Sequence, residues 1–267
     1  VSKRLIFQPL EASLLYHPRS YADYPSIQDL DHLLAGFLMT LEPFNYTCTE
    51  GPRRQRNKTG YLMLPRERRV DQIQKFWIFF GGNGMLALDW VTFASSMNNL
   101  RSTRLKRHDT GYLLIDYPGY GNTPGKISPK SVLDSSVAAV KKLLKSSNGT
   151  EVELNVLGHS LGSAAALQLA VALQEQEIIN VNRVVLSAPF TSIADMANQL
   201  FGVPQNVARG ILPHNWDNEN QMMRLLKRDP NTLAAKKSNG EPSPGPSPQS
   251  ANATNGGGGG IGPQGPS

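Results

Sequence analysis

The stretch Gly158-His159-Ser160-Leu161-Gly162 sets a serine between two glycines, with an apolar run before it and an alanine-rich run after it. A serine hydroxyl is a weak nucleophile unless it is held exposed and a base takes its proton. A sharp strand-to-helix turn meets the first need. Its glycines remove side chains that would collide there, and the helix start directs backbone N–H groups at the serine oxygen. "NVLGHSLGSAAAL" (residues 155–167) has this context, so Ser160 is the candidate catalytic nucleophile. The plainer reading is a solvent-exposed N-cap serine in an ordinary turn. A second stretch, Gly81-Gly82-Asn83-Gly84-Met85, also ends an apolar run and therefore falls on the same sheet edge. Attack on an acyl carbonyl builds negative charge on its oxygen, which prearranged backbone donors stabilise. The N–H groups of Asn83 and of Leu161, the residue after the serine, are the candidate donors of such an oxyanion hole. A simple turn or a phosphate cradle is the alternative for the glycine loop. At this loop neither G-x-G-x-x-G nor a Gly-Lys-Ser/Thr ending is present, which argues against a dinucleotide or nucleoside triphosphate site there.

Four apolar segments position these groups: Phe76–Phe80, Tyr112–Asp116, Val152–Leu157 and Arg183–Ser187. They show little polar alternation, and most are followed by a helical pattern. Strands of this kind are buried on both faces, which predicts an α/β fold with a mostly parallel central sheet and helices on both sides. Ser128 and Pro129 mark the N-cap and first turn of the helix between the second and third strands. "FNYTCTE" (Phe44–Glu50) and "GYLMLP" (Gly60–Pro65) read as an antiparallel hairpin joined by the basic loop "PRRQRNK". Before them, Leu30, Leu33, Leu34, Phe37, Leu38 and Leu41 fall at helical spacing, predicting an amphipathic helix over 27–41 after the start signal Pro25-Ser26. The organisation expected is an N-terminal segment (1–43), an α/β domain (44–237), and a Pro/Gly/Ser/Asn-rich tail or linker (238–267) too poor in apolar side chains to fold.

"FFGGNGM", "DYPGYGNTPG", "LGHSLGSAAA" and "LSAPFTSIADM", in this order, resemble the α/β-hydrolase superfamily, and specifically its serine-hydrolase branch with a Gly-Asn oxyanion loop. A looser similarity continues through "ILPHNWDN". One departure is Gly81, where many relatives carry His. The resemblance implies a Ser nucleophile activated by a histidine that a carboxylate orients, an acyl-enzyme, and no cofactor or metal. It also implies the chain order Ser, acid, His, with the acid and the histidine after later strands.

Those partners are not evident. Of the five histidines only His214 follows Ser160, and it sits in a connecting segment; Asp195 lies where a minority of the superfamily carries its acid. His17 and His32 precede the sheet, His108 lies in a basic connection, and the side chain of His159 is expected to point away from the serine. Asp116 and Asp217 read as turn and cap residues. Two readings stand. In one, the chain is a serine hydrolase of ester, thioester, lipid or amide acyl groups, lacking its C-terminal strands because the sequence stops inside a low-complexity stretch. In the other, it is a non-catalytic α/β-hydrolase-like binding protein.

The 267 residues carry a net charge of +6, but the basic residues come in short clusters with no interleaved aromatics, so a nucleic-acid partner is not expected. A small-molecule or lipid acyl substrate is. Weak attraction to an anionic membrane stays open, as does the compartment, cytoplasmic or membrane-associated, because the chain opens on Val1 and leaves room for an upstream anchor. No apolar run reaches the length of a membrane span. Cys48, the single cysteine, reads as a buried small hydrophobe, and the Asn-x-Ser/Thr matches at Asn45, Asn57, Asn148 and Asn252 matter only in a secreted chain.

Overall fold

A computed structural model of the protein describes residues 16–50, 54–105, 109–212 and 214–227. The expected tail (238–267) and His108 lie outside the described residues.

Six strands form one sheet: β1 (Met39–Glu50), β2 (Arg54–Pro65), β3 (Lys75–Phe80), β4 (Thr110–Ile115), β5 (Glu153–His159) and β6 (Val181–Ser187). Their order is β1-β2-β4-β3-β5-β6. β4, β3, β5 and β6 are mutually parallel, whereas β2 runs antiparallel to both β1 and β4. The α/β class and the mostly parallel sheet are as the sequence predicts.

Alternation along β3 sorts the core into two layers. Phe76, Ile78 and Phe80 face a cluster that includes Val140 and Leu143 of α3 (Pro129–Ser146) and Ala165 and Leu169 of α4 (Leu161–Glu175). Trp77 and Phe79 face the other side, against Leu34 of α1 (Ile27–Ala35), Leu88 of a short 3-10 turn (Ala87–Trp90), and Val91 and Ala94 of α2 (Val91–Leu105). Both faces are thus covered, which is why β3 and β4 read as unbroken apolar runs. The chain passes from β3 to β4 on one side, then crosses over β3 to reach β5 on the other. Strand order therefore reverses beside β3, and the crevice at the carboxyl ends of β3 and β5 is where sheets of this type place their sites.

Four local expectations need correction. The last strand, Val181–Ser187, expected to be buried on both faces, lies at the edge of the described sheet, and each of its residues is partly or largely exposed. The first helix ends at Ala35, not at Leu41. Gly36 caps it, Leu38 turns the chain at φ 55°, and Met39 begins β1. The apolar residues from Met39 onward follow the strand period, with Met39 and Leu41 buried and Leu38 56% exposed. The basic stretch from Arg54 to Lys58 is not a loop but part of β2, paired with Glu50 through Tyr46. Lys58 is buried, and its ammonium donates to the Pro124 carbonyl at 3.2 Å. Asp116 does more than serve a turn: it is buried and accepts hydrogen bonds from the Ala87 N–H and the Tyr21 hydroxyl, each at 2.8 Å. Cys48 is buried, as expected.

Three further helices follow β6: α5 (Ile193–Phe201), α6 (Gln205–Ile211) and α7 (Asn218–Lys227). The last packs on α4, where Arg224 makes a bidentate contact with Glu175 at 2.7 and 2.8 Å. Among the described residues no helix is long and apolar enough to cross a membrane.

Candidate active site

Ser160 stands between the end of β5 and the start of α4, with φ 51° and ψ -116°. A side chain at positive φ is strained, and such strain persists only where the surroundings fix it. Here the fixing contacts are specific. The Ser160 N–H donates to the Ser187 carbonyl at 2.8 Å, and the Ser163 N–H donates to the Ser160 carbonyl at 2.9 Å. The Ser163 hydroxyl donates to the carbonyls of Gly158 at 3.0 Å and Ser187 at 3.1 Å. The turn is thereby tied to both flanking strands.

The two glycines of the motif are required by close approach. A Cβ on Gly158 would lie 2.1 Å from the Gly162 carbonyl oxygen, and one on Gly162 would lie 2.2 Å from that of Phe80. Ser160 occupies the N-cap position of α4, yet its side chain makes no cap hydrogen bond. The plain N-cap reading therefore fails to account for it.

Phe80 of β3 pairs with Gly158 of β5, so the glycine loop emerges directly beside the serine turn. An added Cβ on Gly82 would come within 3.5 Å of Ser160 Cβ and 3.1 Å of His159 Cδ2. The structure thus sets Gly82, the residue before Asn83, against the turn that carries Ser160 and Leu161. The loop is closed by the Met85 N–H donating to the Gly82 carbonyl at 3.1 Å. The Gly82 N–H points at the Met85 sulfur, also at 3.1 Å. The Tyr117 hydroxyl donates to the Gly81 carbonyl.

The other candidates are spent elsewhere. His159 directs Nδ1 to the Ser187 hydroxyl at 3.1 Å, away from its neighbour. Asp195 sits in the first turn of α5, where it accepts from Gln205 Nε2 at 2.6 Å; hydrogen bonding, chiefly from Ser192, holds its carboxyl below the usual range. Asp217 accepts from the Asn220 N–H at 3.0 Å and caps α7, as expected. His214 is half-buried near Tyr16, with ring centroids 6.3 Å apart, and burial lowers its pKa. Among the described residues, no imidazole and no carboxylate lies within hydrogen-bonding distance of the Ser160 hydroxyl, and no cluster of three His, Cys, Asp or Glu could hold a metal.

Sequence reasoning missed the segment Tyr16–Tyr24, which straps across the loop. The His17 N–H donates to Asn83 Oδ1 at 2.9 Å, and the Arg19 guanidinium reaches the Gly84 carbonyl and Asp89, each at 3.1 Å. Tyr24 donates to Asp89 at 3.0 Å, and Tyr16 accepts from Trp216 Nε1 at 2.9 Å. Its only sequence signal is a density of hydrogen-bonding side chains in "YHPRSYADY".

Residues 97–254, more than half of the chain, match the family model described as serine aminopeptidase, S33. The protein bem46 of Schizosaccharomyces pombe is 24% identical over 131 residues, which is 49% of this chain and 42% of that protein. An uncharacterised protein of Mycobacterium tuberculosis is 36% identical over 118 residues, 43% of this chain and 40% of that one. The matched stretch thus spans well under half the length of these relatives. Among solved structures, an α/β-hydrolase of Vibrio vulnificus superposes with a TM-score of 0.54 at 18% identity, over 85% of this chain and 74% of that one. An esterase of Pyrococcus furiosus gives 0.51 at 14% identity, over 79% and 73%. With the family match and the shared fold together, the chain belongs to the serine aminopeptidase S33 family of the α/β-hydrolase superfamily.

Proposed function

We propose that the protein is a serine hydrolase acting on an ester, thioester, lipid or amide acyl group, with Ser160 as nucleophile. The observation that carries this reading is the positive-φ serine at the β5–α4 turn with Gly82 packed against it. In the reaction Ser160 Oγ bonds to the acyl carbon while its proton passes to a base. The carbonyl oxygen becomes an oxyanion held by the N–H groups of Asn83 and Leu161. The leaving group departs with a proton, and water then releases the acyl group from the serine. No cofactor is needed for these steps. Each oxyanion donor contributes about 3 kcal/mol to such a transition state.

A second reading, a non-catalytic binding protein on the same fold, is favoured by one observation: among the described residues no imidazole or carboxylate reaches the Ser160 hydroxyl. Labelling with a fluorophosphonate separates the two. We expect a covalent adduct on Ser160, located by peptide mass spectrometry and lost in Ser160→Ala. An unlabelled but folded wild-type protein would leave the binding reading in place.

A further inference from the structure

A glycine-rich loop supplies oxyanion donors only if its backbone is held still, because glycine leaves more conformational freedom to lose than any other residue. The turn's own hydrogen bond, Met85 N–H to Gly82 carbonyl, sets the loop's internal shape and does not fix its place against β5. That second task falls to the Asn83 side chain. Its Oδ1 receives the His17 N–H at 2.9 Å and the Tyr120 hydroxyl at 3.0 Å, from positions 66 and 37 residues away in the chain. We propose that the Tyr120 hydroxyl and the His17 backbone N–H are positioning groups, which hold the oxyanion loop against the Ser160 turn through the side chain of Asn83. This rests on the serine-hydrolase reading above for its catalytic consequence, though not for its structural one.

The support behind the two donors is rigid. Tyr120 is fully buried, and its ring meets Tyr117 edge to face at 5.5 Å. Tyr117 itself holds the Gly81 carbonyl, so one edge-to-face pair of rings grips two residues of the loop. Burial pushes the Tyr120 phenol up, which favours the protonated hydroxyl that donates to Asn83. On the far side, the strap is pinned by the Gly121 N–H donating to the Arg19 carbonyl at 2.8 Å and by Arg19 on Gly84. The grip spans residues 81, 83 and 84 and leaves Gly82 lying against Ser160.

Tyr120→Phe keeps the ring and removes only the hydroxyl, and Asn83→Ala removes the acceptor. Two measurements test them on the full chain. Hydrogen exchange at the amides of Gly82 to Met85 should quicken about tenfold in Tyr120→Phe, the effect expected of losing one such hydrogen bond, and at least as much in Asn83→Ala, which loses two, while exchange in β5 stays unchanged. In fluorophosphonate labelling, the limiting inactivation rate should fall about tenfold with the reagent's half-saturating concentration within about twofold of wild type, because the loop acts on the transition state and not on ground-state binding. Unchanged loop exchange in both variants overturns the proposal, whatever the labelling shows. Quickened exchange with an unchanged inactivation rate also overturns it, since the loop's position would then not matter to the chemistry. If wild-type Ser160 fails to label, the hydrolase reading falls and the exchange data alone decide whether the grip exists.

Discussion

Asp116 is a carboxylate buried at the end of β4, under the 3-10 turn that follows the glycine loop. Burial pushes its pKa from 3.8 up to about 6, against the opposing effect of the hydrogen bonds from Ala87 and Tyr21. The native state therefore binds this proton more readily than the unfolded chain does. The residue's contribution to stability is greatest when it is protonated in both states, below 3.8, and declines as pH rises through about 6. A shift of two units corresponds to about 3 kcal/mol. Asp116→Asn removes the charge and keeps an acceptor. Its melting temperature relative to wild type should therefore improve by roughly 5 °C between about pH 5 and about pH 7.5. Scanning calorimetry of both proteins at the two pH values checks this, and a constant difference contradicts it. The type and position of Asp116 were plain in "DYPGYG", but its burial was not, because the two groups that bond it lie 29 and 95 residues away.

Two junctions show what a whole element demands of single residues. At the start of α3, the Ser128 hydroxyl accepts the Ser131 N–H at 3.0 Å, and Pro129 follows at the first helical position. This cap was legible in the sequence, since capping chemistry depends on residues within one turn. Ser128→Ala should cost about 1 kcal/mol, read as a lower urea midpoint with an unchanged denaturant slope. At the start of α4 the demand is steric. Because a Cβ at 162 would meet two β3-end carbonyl oxygens at 2.2 and 2.7 Å, Gly162→Ala must push the helix off the sheet. Overpacking of this kind costs typically 1–3 kcal/mol, and about 3 kcal/mol is expected here because the clash is with backbone. Loss of fluorophosphonate labelling should accompany the fall in urea midpoint; a variant as stable as wild type would contradict the tight approach. The first helix shows the opposite outcome. Leucines at helical spacing extended the predicted helix to Leu41, yet Gly36 and the positive φ of Leu38 turn the chain into β1. Period alone cannot separate a helix that ends from one that continues when apolar residues serve both elements.

Across the whole molecule, the sequence by itself determined the strands of the parallel sheet, the helices between them, and the turn that carries the serine, but not that Val181–Ser187 is largely exposed. These follow from apolar runs, turn glycines and caps, all of which act over a few residues. It also determined that Ser160 and the glycine loop share a sheet edge, since both terminate parallel strands. Only the tertiary structure decided that they touch, because the order β4-β3-β5 sets β3 beside β5 and pairs Phe80 with Gly158. It alone assigned Tyr16–Tyr24 to the site and drew Tyr120 and His17 onto Asn83. It likewise buried Lys58 in a strand instead of exposing it in a loop. The physical reason is the same in each case. Hydrogen bonds between segments tens of residues apart leave no periodicity or spacing in the chain, and they exist only once burial of the apolar strands has brought those segments together.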